Sequence, residues 1–306
     1  MSTFILKFRE QASSFFNSGA SLLSQAVVAS LLGSLLVALP SSMNVANAGN
    51  ITTTELTIPS TVVSANDIAV SGDGSKLVLL SGSVNRSPNA NGIYISSDSG
   101  ATWTEKSSSL TQTTASTPTQ ALTSEDGQKI VVTTYRSSVL SISTDQGANW
   151  TSKSLVSFRS QCNNEINFLK TTSGPESTGV AMSGDGSLIA LNVFNSWCMF
   201  VSTDSGANFT KVTLPSYLNA QGAVHVSKSG NAIWFAKSDT GGLWKLSTTN
   251  WTWSSNYSGT VGYPRGLTGS EDGTIIYTAG GSGSSPFTGA VYKSTNSGAS
   301  FSAIPN

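Results

Sequence analysis

Three aspartates occupy the same position in a sequence motif, here called the aspartate phrase, that recurs along the chain. Their carboxylates are the first candidates for catalysis or binding. The phrase is serine, any residue, aspartate, any residue, glycine, two more residues and an aromatic residue. It occurs at Ser96–Trp103, Ser143–Trp150 and Ser202–Phe209, and a fourth copy at Ser294–Phe301 has asparagine for aspartate. A carboxylate repeated at one position could serve in acid–base catalysis or bind a metal ion.

The same residue types at this spacing also make a tight turn between two strands. An aspartate side chain accepts hydrogen bonds from backbone amides of its own turn, and glycine supplies a conformation that other residues reach only at a cost. The aromatic residue can bury its ring between sheets. Asparagine keeps this bonding but would be a poor catalytic group. We therefore predict that Asp98, Asp145, Asp204 and Asn296 are structural and lie far from any pocket.

Arginine and aromatic residues form a second group of candidates. The four arginines beyond residue 48 fall in loops that we expect at the end of the fold opposite the aspartate turns. The arginine fork suits carboxylates, and aromatic faces suit sugar rings or other flat ligands. The alternative is a set of solvated loop residues with no common target. The candidate ligand-binding residues are Arg86, Arg136, Arg159, Arg265, Tyr135, Trp197, Tyr217, Tyr263 and Asp67.

The elements that would position these residues repeat with the aspartate phrase. A segment ending in an Asp-Gly turn, as at Ile68–Gly74, precedes an apolar β-rich run in each unit, which is typical of a hairpin. A strand with one apolar face then leads into each aspartate phrase. Its apolar positions are Ile93 and Ile95 in the first unit, and we align Trp244 and Leu246 with them in the degenerate fourth unit.

Five such units of four strands lie between about Ser64 and Asn306. A repeat of roughly 45–60 residues with four strands is typical of β-propellers. We predict an all-β fold, a β-propeller of five four-stranded blades, with six or seven blades as the alternatives. A further strand at Ile51–Ile58 would be an outer strand or the remnant of another blade. Both kinds of turn then share one face, and the remaining loops share the other.

The phrase S-x-D-x-G-x-x-W/F resembles the Asp-box of BNR-repeat proteins, in which it marks the blades of β-propellers. The resemblance covers the repeated body of the chain and implies an architecture more than an activity. Asp-box repeats occur in sialidases, xyloglucanases, sortilin-type receptors and photosystem II assembly factors. Similarity at the level of the fold does not carry an activity from one protein to another.

Three functions follow from this resemblance. The favoured one is a secreted, non-enzymatic propeller that binds a glycan or an extracellular protein through the face opposite the Asp-boxes, with no catalytic residue assigned. A sialidase-like glycoside hydrolase would use three arginines, a tyrosine–glutamate pair and an acid such as Asp67. Its Arg-Ile-Pro signature is absent, however, and most glycosidases need two placed carboxylates. The third is a lumenal helper similar to photosystem II assembly factors.

Composition restricts the partners. Sixteen basic and sixteen acidic residues give a net charge of zero, which argues against nucleic-acid binding. His225 is the single histidine and no Cys/His cluster occurs, so we expect no metal site and no cofactor. Cys162 and Cys198 form a disulfide in one interpretation and remain two unpaired thiols in the other.

The first 48 residues have the features of an export signal. Lys7 and Arg9 are followed by the apolar stretch Ala26–Pro40 and by an A-x-A cleavage site at Ala46–Ala48. A signal anchor and an organellar presequence are the alternatives. The apolar stretch is shorter than the roughly 20 residues of a membrane span. We predict a signal peptide over 1–48, a propeller over 49–306 without a stable span, and a secreted, periplasmic or thylakoid-lumenal protein.

Overall fold

In the described part of the chain, twenty strands form five antiparallel sheets of four strands each. The computed structural model describes residues 55–62, 64–82, 92–106, 117–135, 139–154, 157–158, 161, 179–192, 196–218, 223–236, 242–257, 266–281 and 289–305. Each sheet is one blade, and its strands pair in chain order. The predicted all-β propeller with five four-stranded blades is therefore confirmed. No helix in the described ranges is long and apolar enough to cross a membrane.

The strands follow one another along the chain, four to a blade. They are β1 (Ala65–Val70), β2 (Leu77–Ser81), β3 (Gly92–Ser96) and β4 (Thr104–Glu105); β5 (Thr117–Thr123), β6 (Ile130–Tyr135), β7 (Val139–Ser143) and β8 (Thr151–Ser154); β9 (Val180–Met182), β10 (Ile189–Asn192), β11 (Ser196–Ser202) and β12 (Thr210–Leu218); β13 (Ala223–Val226), β14 (Ala232–Ala236), β15 (Leu243–Ser247) and β16 (Trp253–Tyr257); and β17 (Gly266–Gly269), β18 (Ile276–Gly281), β19 (Gly289–Ser294) and β20 (Ser302–Ala303).

The hydrophobic core lies between consecutive blades. Between blades 1 and 2, for example, Val78, Leu80 and Ile93 pack against Ile130 and Val132, and all five side chains are buried. Similar clusters lie between blades 2 and 3, 3 and 4, and 4 and 5. Full burial of one such side chain is worth about 1.5–3 kcal/mol. The alternating strand pattern thus supplies both faces of every blade with apolar residues.

Blade 4 departs from the alignment predicted from the sequence. Ile233 of β14 pairs with Leu246, whereas the equivalent Leu77 of blade 1 pairs with Ser96, the serine of the aspartate phrase. Leu246 therefore occupies the serine position, and it packs with Trp244 toward blade 3. The residue that faces blade 5 is Leu243. Leu243 is therefore the residue equivalent to Ile93, and the predicted alignment of Trp244 with Ile93 is wrong by one residue. The reason is that β15 ends in a turn of a different kind.

Backbone hydrogen bonds join the Asp-Gly turns of neighbouring blades. The amide of Gly72 donates to the carbonyl of Glu125 at 2.8 Å, and the amide of Glu125 donates to Gly184 at 2.7 Å. The amide of Gly184 in turn donates to the carbonyl of Lys228 at 2.8 Å, and the amide of Ser229 donates to the carbonyl of Glu271 at 3.2 Å. Among the described residues, no equivalent bond returns from the blade 5 turn to that of blade 1.

A short segment, rather than blade 5, covers the outer side of blade 1. This N-terminal segment, Glu55–Val62, places Ile58 and Val62 against Leu79 and Tyr94. The Tyr94 hydroxyl donates a hydrogen bond of 2.9 Å to the Thr61 hydroxyl. The predicted strand at 51–58 is not seen over 55–58, and residues 51–54 lie outside the described ranges. Among the described residues, the buried apolar clusters join blade 1 to blade 2 and to the N-terminal segment, and none of them joins blade 5 to blade 1.

Candidate functional site

The predicted structural aspartates are bonded within their own turns. We call the segments Ser96–Gly100, Ser143–Gly147, Ser202–Gly206 and Ser294–Gly298 the Ser–Asp–Gly turns, although the last has asparagine. In blade 3, Asp204 Oδ1 accepts from the Ser202 hydroxyl and from the Asn208 amide, each at 2.8 Å. Its Oδ2 accepts from the Asn208 side chain at 2.8 Å. All the described hydrogen bonds of this carboxylate are thus made within its own turn.

These hydrogen bonds favour the charged carboxylate. The backbone amide of Asn208, followed by its side chain, lowers the pKa of Asp204 to about 2. The amide of Asn149 is the main cause of the lowered pKa of Asp145, and the Thr102 hydroxyl is the main cause at Asp98. A general acid or base works best with a pKa near the operating pH. Carboxylates held in their ionised form by their own turns do not meet that requirement.

Serine and glycine explain why the whole phrase recurs. The Ser202 hydroxyl accepts the buried amide of Gly206 at 2.8 Å while it donates to the aspartate. Gly206 has φ = +86°, and a Cβ there would lie 2.3 Å from Ile142 Cδ1 of the preceding blade. The glycine therefore meets both a backbone requirement and a packing requirement. The sequence revealed the first requirement but not the second, since Ile142 lies far away along the chain.

The Asp-Gly turns use their acidic residues in the same way. Asp73 Oδ1 accepts from the Ser71 hydroxyl at 2.6 Å and from the Ser75 amide at 2.9 Å. These bonds, the Ser71 hydroxyl first, lower the pKa of Asp73 to about 2. Glu125 instead pairs with Lys228 across two blades at 2.6 Å. The acidic residues at this end of the blades thus stabilise turns and blade contacts.

Three predicted site residues lie at the opposite end of the blades. Tyr135 is the last residue of β6, Trp197 is the second of β11, and Tyr217 is next to last in β12. Those strand ends are all remote from the turns, because the strands are antiparallel and joined in chain order. Their shared location is the one that a site at this end requires. The other predicted residues Arg86, Arg136, Arg159, Arg265 and Tyr263 lie outside the described ranges.

Asp67 has a contact that the sequence did not reveal. Its side chain lies near the start of β1 and is 4% exposed. Oδ2 accepts a hydrogen bond of 2.8 Å from the backbone amide of Ala121 in β5. The side chains of Asn66 and Gln120 make comparable bonds to the carbonyls of Pro118 and Val180. The structure therefore places Asp67 in the wall between blades 1 and 2, where it links the innermost strands.

His225 is buried in β13 and packs on the Trp234 ring with a centroid distance of 5.7 Å. Burial lowers its pKa to about 4, so the imidazole is neutral at physiological pH. Within the described ranges, no three His, Cys, Asp or Glu side chains are grouped so as to hold a metal ion. Cys198 is buried and disulfide-bonded, and Cys162, its partner in one of the two interpretations of the sequence, lies outside the described residues.

Comparison with known proteins gives similarity of fold. No protein family matches the chain by sequence, and no curated protein matches it either. The GH74 enzyme of Niastella koreensis is similar in structure, with a TM-score of 0.55 and 18% identity over 78% of this chain and 38% of that one. A streptogramin B lyase has a TM-score of 0.55 and 17% identity over 81% and 70%.

At these identities the two similarities establish a propeller fold and no activity. The chain spans 38% of the length of the GH74 enzyme, so the activity of that whole enzyme is not carried across. Both similar structures are enzymes by name, whereas the carboxylates of Asp204 and Asp67 serve a turn and a blade contact. Function therefore has to be argued from the residues of this chain.

Proposed function

We propose that the protein is a non-enzymatic BNR/Asp-box propeller that binds a glycan or an extracellular protein through the end of the blades opposite the Ser–Asp–Gly turns. The observation that carries this proposal is that the bonded aspartates and the candidate ligand-binding residues lie at opposite ends of the blades. At the turn end, Asp98, Asp145 and Asp204 are all committed to their own turns. At the other end lie the strand ends that carry Tyr135 and Trp197.

The Asp-box identity rests on a repeated bonding pattern. In each Ser–Asp–Gly turn the serine hydroxyl accepts the glycine amide at 2.8 Å and donates to the acidic or amide side chain at 2.8 Å. Every copy joins the third and fourth strands of its blade. Asn296 reproduces the pattern without a charge, which supports a structural role for the phrase.

The proposal of a binding protein rests on how the described carboxylates are used. Most glycosidases need two acidic residues placed about the scissile bond. Asp67, the acid considered for a sialidase-like mechanism, is buried and accepts a backbone amide. A catalytic acid must instead reach its substrate. The glycoside hydrolase therefore stays the alternative.

The predicted arginines indicate the class of ligand. Arg86, Arg136, Arg159 and Arg265 all precede or follow strand ends remote from the turns. If two guanidinium groups lie close together, an anionic glycan or acidic peptide would relieve their repulsion. Such binding should weaken as salt rises, because exposed charges are screened over about 10 Å at 0.1 M ionic strength.

We further propose that residues 1–48 are a signal peptide and that 49–306 form the secreted protein, with a periplasmic or thylakoid-lumenal location as the alternative. The support is the charged start, apolar stretch and A-x-A site of the sequence. Amino-terminal sequencing of the exported protein should give Gly49. A mature protein that keeps the first 48 residues would contradict this assignment.

A glycan-array experiment with the mature protein tests the proposed binding function. We expect retention of acidic glycans at low salt, with weaker retention by Arg136→Gln and Arg265→Gln. The matched control is Asp145→Asn, a charge change at the turn end, which should leave retention of the folded protein unchanged. Hydrolysis of a fluorogenic sialoside that Asp67→Asn abolishes, without loss of folding, would instead favour the hydrolase.

A further inference from the structure

The internal junctions that lead into blades 2, 3 and 5 follow one rule. Each blade has a forward face, which packs on the next blade along the chain, and a receiving face, which accepts the previous one. Side chains of the forward face fill the space that turn glycines of the next blade leave open. A Cβ on Gly147 would lie 2.4 Å from Ile95 Cδ1, and a Cβ on Gly298 would lie 2.8 Å from Leu243 Cδ2. A backbone bond between Asp-Gly turns completes each junction.

The forward face of blade 5 repeats the forward face of blade 4, but among the described residues no buried cluster joins it to another blade. Tyr277 and Val291 stand where blade 4 has Trp234 and Leu243, as the pairing of β14 with β15 and of β18 with β19 shows. In blade 4, Lys245 Nζ lies 5.1 Å from the Trp234 ring centroid, and this cation–π contact recurs in blade 5, where Lys293 Nζ lies 5.7 Å from the Tyr277 ring centroid. Leu243 is 4% exposed, whereas Val291 is 46% exposed.

Blade 1 presents the complementary end. A Cβ on Gly127 or Gly273, in the Asp-Gly turns of blades 2 and 5, would collide with a side chain of the preceding blade. A Cβ on the equivalent Gly74 would meet nothing within 4 Å. The Ser–Asp–Gly turn of blade 1 is covered differently, because a Cβ on Gly100 would lie 3.0 Å from Leu56 of the N-terminal segment. Leu56 itself remains 41% exposed.

We propose that the forward face of blade 5 binds the N-terminal segment and blade 1 of a second copy of this chain, head to tail. Val291 and Leu56 are two of the three large hydrophobic side chains that are exposed in the described part of the chain. Lys293 on the forward face and exposed Glu55 on the segment carry opposite charges. Apolar contact would supply the affinity, and the charges would favour this orientation over a symmetric pairing of two Lys293 faces.

Backbone groups at the two ends also match. By the rule of the internal junctions, the Glu271 amide of blade 5 would donate and the Gly72 carbonyl of blade 1 would accept. Neither group takes part in a described backbone bond between blades. A contact between unlike surfaces of identical chains closes into a ring or continues as a chain of copies. This inference is independent of the proposed ligand-binding function, because it uses none of the predicted ligand-binding residues.

Self-association of the mature protein, measured by analytical ultracentrifugation over a range of concentrations, tests the contact. We expect Val291→Glu to weaken association by about tenfold or more, since it would bury an unpaired charge. The matched control is Trp251→Asn, which removes the third exposed hydrophobic side chain, 44% exposed, in a turn of blade 4. A protein that is monomeric at all concentrations, or that associates equally well with Val291→Glu, would overturn the proposal.

Disulfide trapping identifies the partner surface. A mixture of Leu56→Cys chains with Val291→Cys chains should form a cross-linked dimer, whereas a mixture with Trp251→Cys chains should not. A dimer of Val291→Cys chains alone would indicate symmetric pairing and contradict the head-to-tail contact. If the doubly substituted chain cross-links only within itself, the two ends close on each other, and the second copy is excluded. Thermal melting of each variant before mixing verifies that it is folded.

Discussion

The turns that end the third strands of blades 3 and 4 occupy the same place in their blades but are built differently. In blade 3, Ser202, Asp204 and Gly206 form a closed set of hydrogen bonds around a glycine with positive φ. In blade 4, the Trp251 amide donates to the Ser247 carbonyl at 2.9 Å, and Trp251 itself has φ = +56°.

The difference shows which parts of the phrase the fold requires. Blade 4 keeps a left-handed residue and an acceptor side chain, because Asn250 Oδ1 accepts from the Thr252 hydroxyl at 2.7 Å. It lacks the charge, the bonded serine and the glycine, and its third strand is shifted by one residue. A carboxylate is thus dispensable for the turn. The described blades that share one strand phase are those that have the bonded serine and the glycine.

The largest effect is expected from Gly206→Ala, because it adds a methyl group to the Ser–Asp–Gly turn of blade 3 at the point where blade 2 packs on that turn. The new Cβ would meet Ile142 at 2.3 Å at a φ of +86°. We expect a loss of about 2–4 kcal/mol in the free energy of unfolding, the sum of a backbone cost and overpacking. Gly74→Ala, at φ = +75° with no atom within 4 Å, should cost only about 1 kcal/mol in the same urea titration.

Ser202→Ala should lower the free energy of unfolding by about 1–3 kcal/mol, because the buried Gly206 amide would lose its acceptor. The control is Ser247→Ala in blade 4, where no described side-chain bond is lost and we expect a change within about 0.5 kcal/mol. Equal losses for the two variants would mean that the serine hydroxyl is not what distinguishes the two turns.

The loss of stability in acid should distinguish a turn that contains an aspartate from a turn that contains an uncharged residue in its place. The pKa of Asp204 is lowered to about 2 in the folded protein, below its ordinary value near 3.9. Its contribution to stability is therefore present above about pH 4 and is lost as the pH falls toward 2. Asp204→Asn should flatten the fall in melting temperature over this range. An unchanged acid limb would show that the carboxylate contributes nothing in the folded state.

The smallest effect is expected in blade 4. Trp251→Gly should raise the free energy of unfolding by up to about 1 kcal/mol, since a residue with φ = +56° and 44% exposure would be relieved of backbone strain. Thermal melting of the variant beside the unchanged protein measures this shift. Destabilisation would indicate that the Trp251 ring makes a contact worth more than the strain.

Much of the fold could be predicted because its signals are local. The Asp-Gly turns and the Ser–Asp–Gly turns bond within about five residues, so their chemistry is visible in the sequence around Asp73 or Asp204. The fivefold recurrence of these turns, joined by strands of period two, was enough to predict five four-stranded blades. The shift in blade 4 was missed, because an apolar pattern aligned by residue count contains no information on pairing partners.

Less of the candidate site could be predicted, for a related reason. Loop position placed Tyr135, Trp197 and Tyr217 at one end of the blades, and their backbone lies there. Asp67 and Ala121 are 54 residues apart along the chain. The burial of Asp67 and its bond to the Ala121 amide therefore depend on how blades 1 and 2 pack together. Nothing near Asp67 in the sequence distinguishes a carboxylate in the wall between blades from one that faces a ligand.

The sequence by itself determined the repeating unit and the turn chemistry and predicted five blades, since each depends on residues close together along the chain. The tertiary structure alone decided which blade faces are covered. Leu243 and Val291 are aliphatic residues at equivalent places, yet one is 4% and the other 46% exposed. Leu243 packs with Leu267 and Ile276 of blade 5, whereas no buried cluster of the described residues includes Val291. Burial of this kind is a property of neighbours in space.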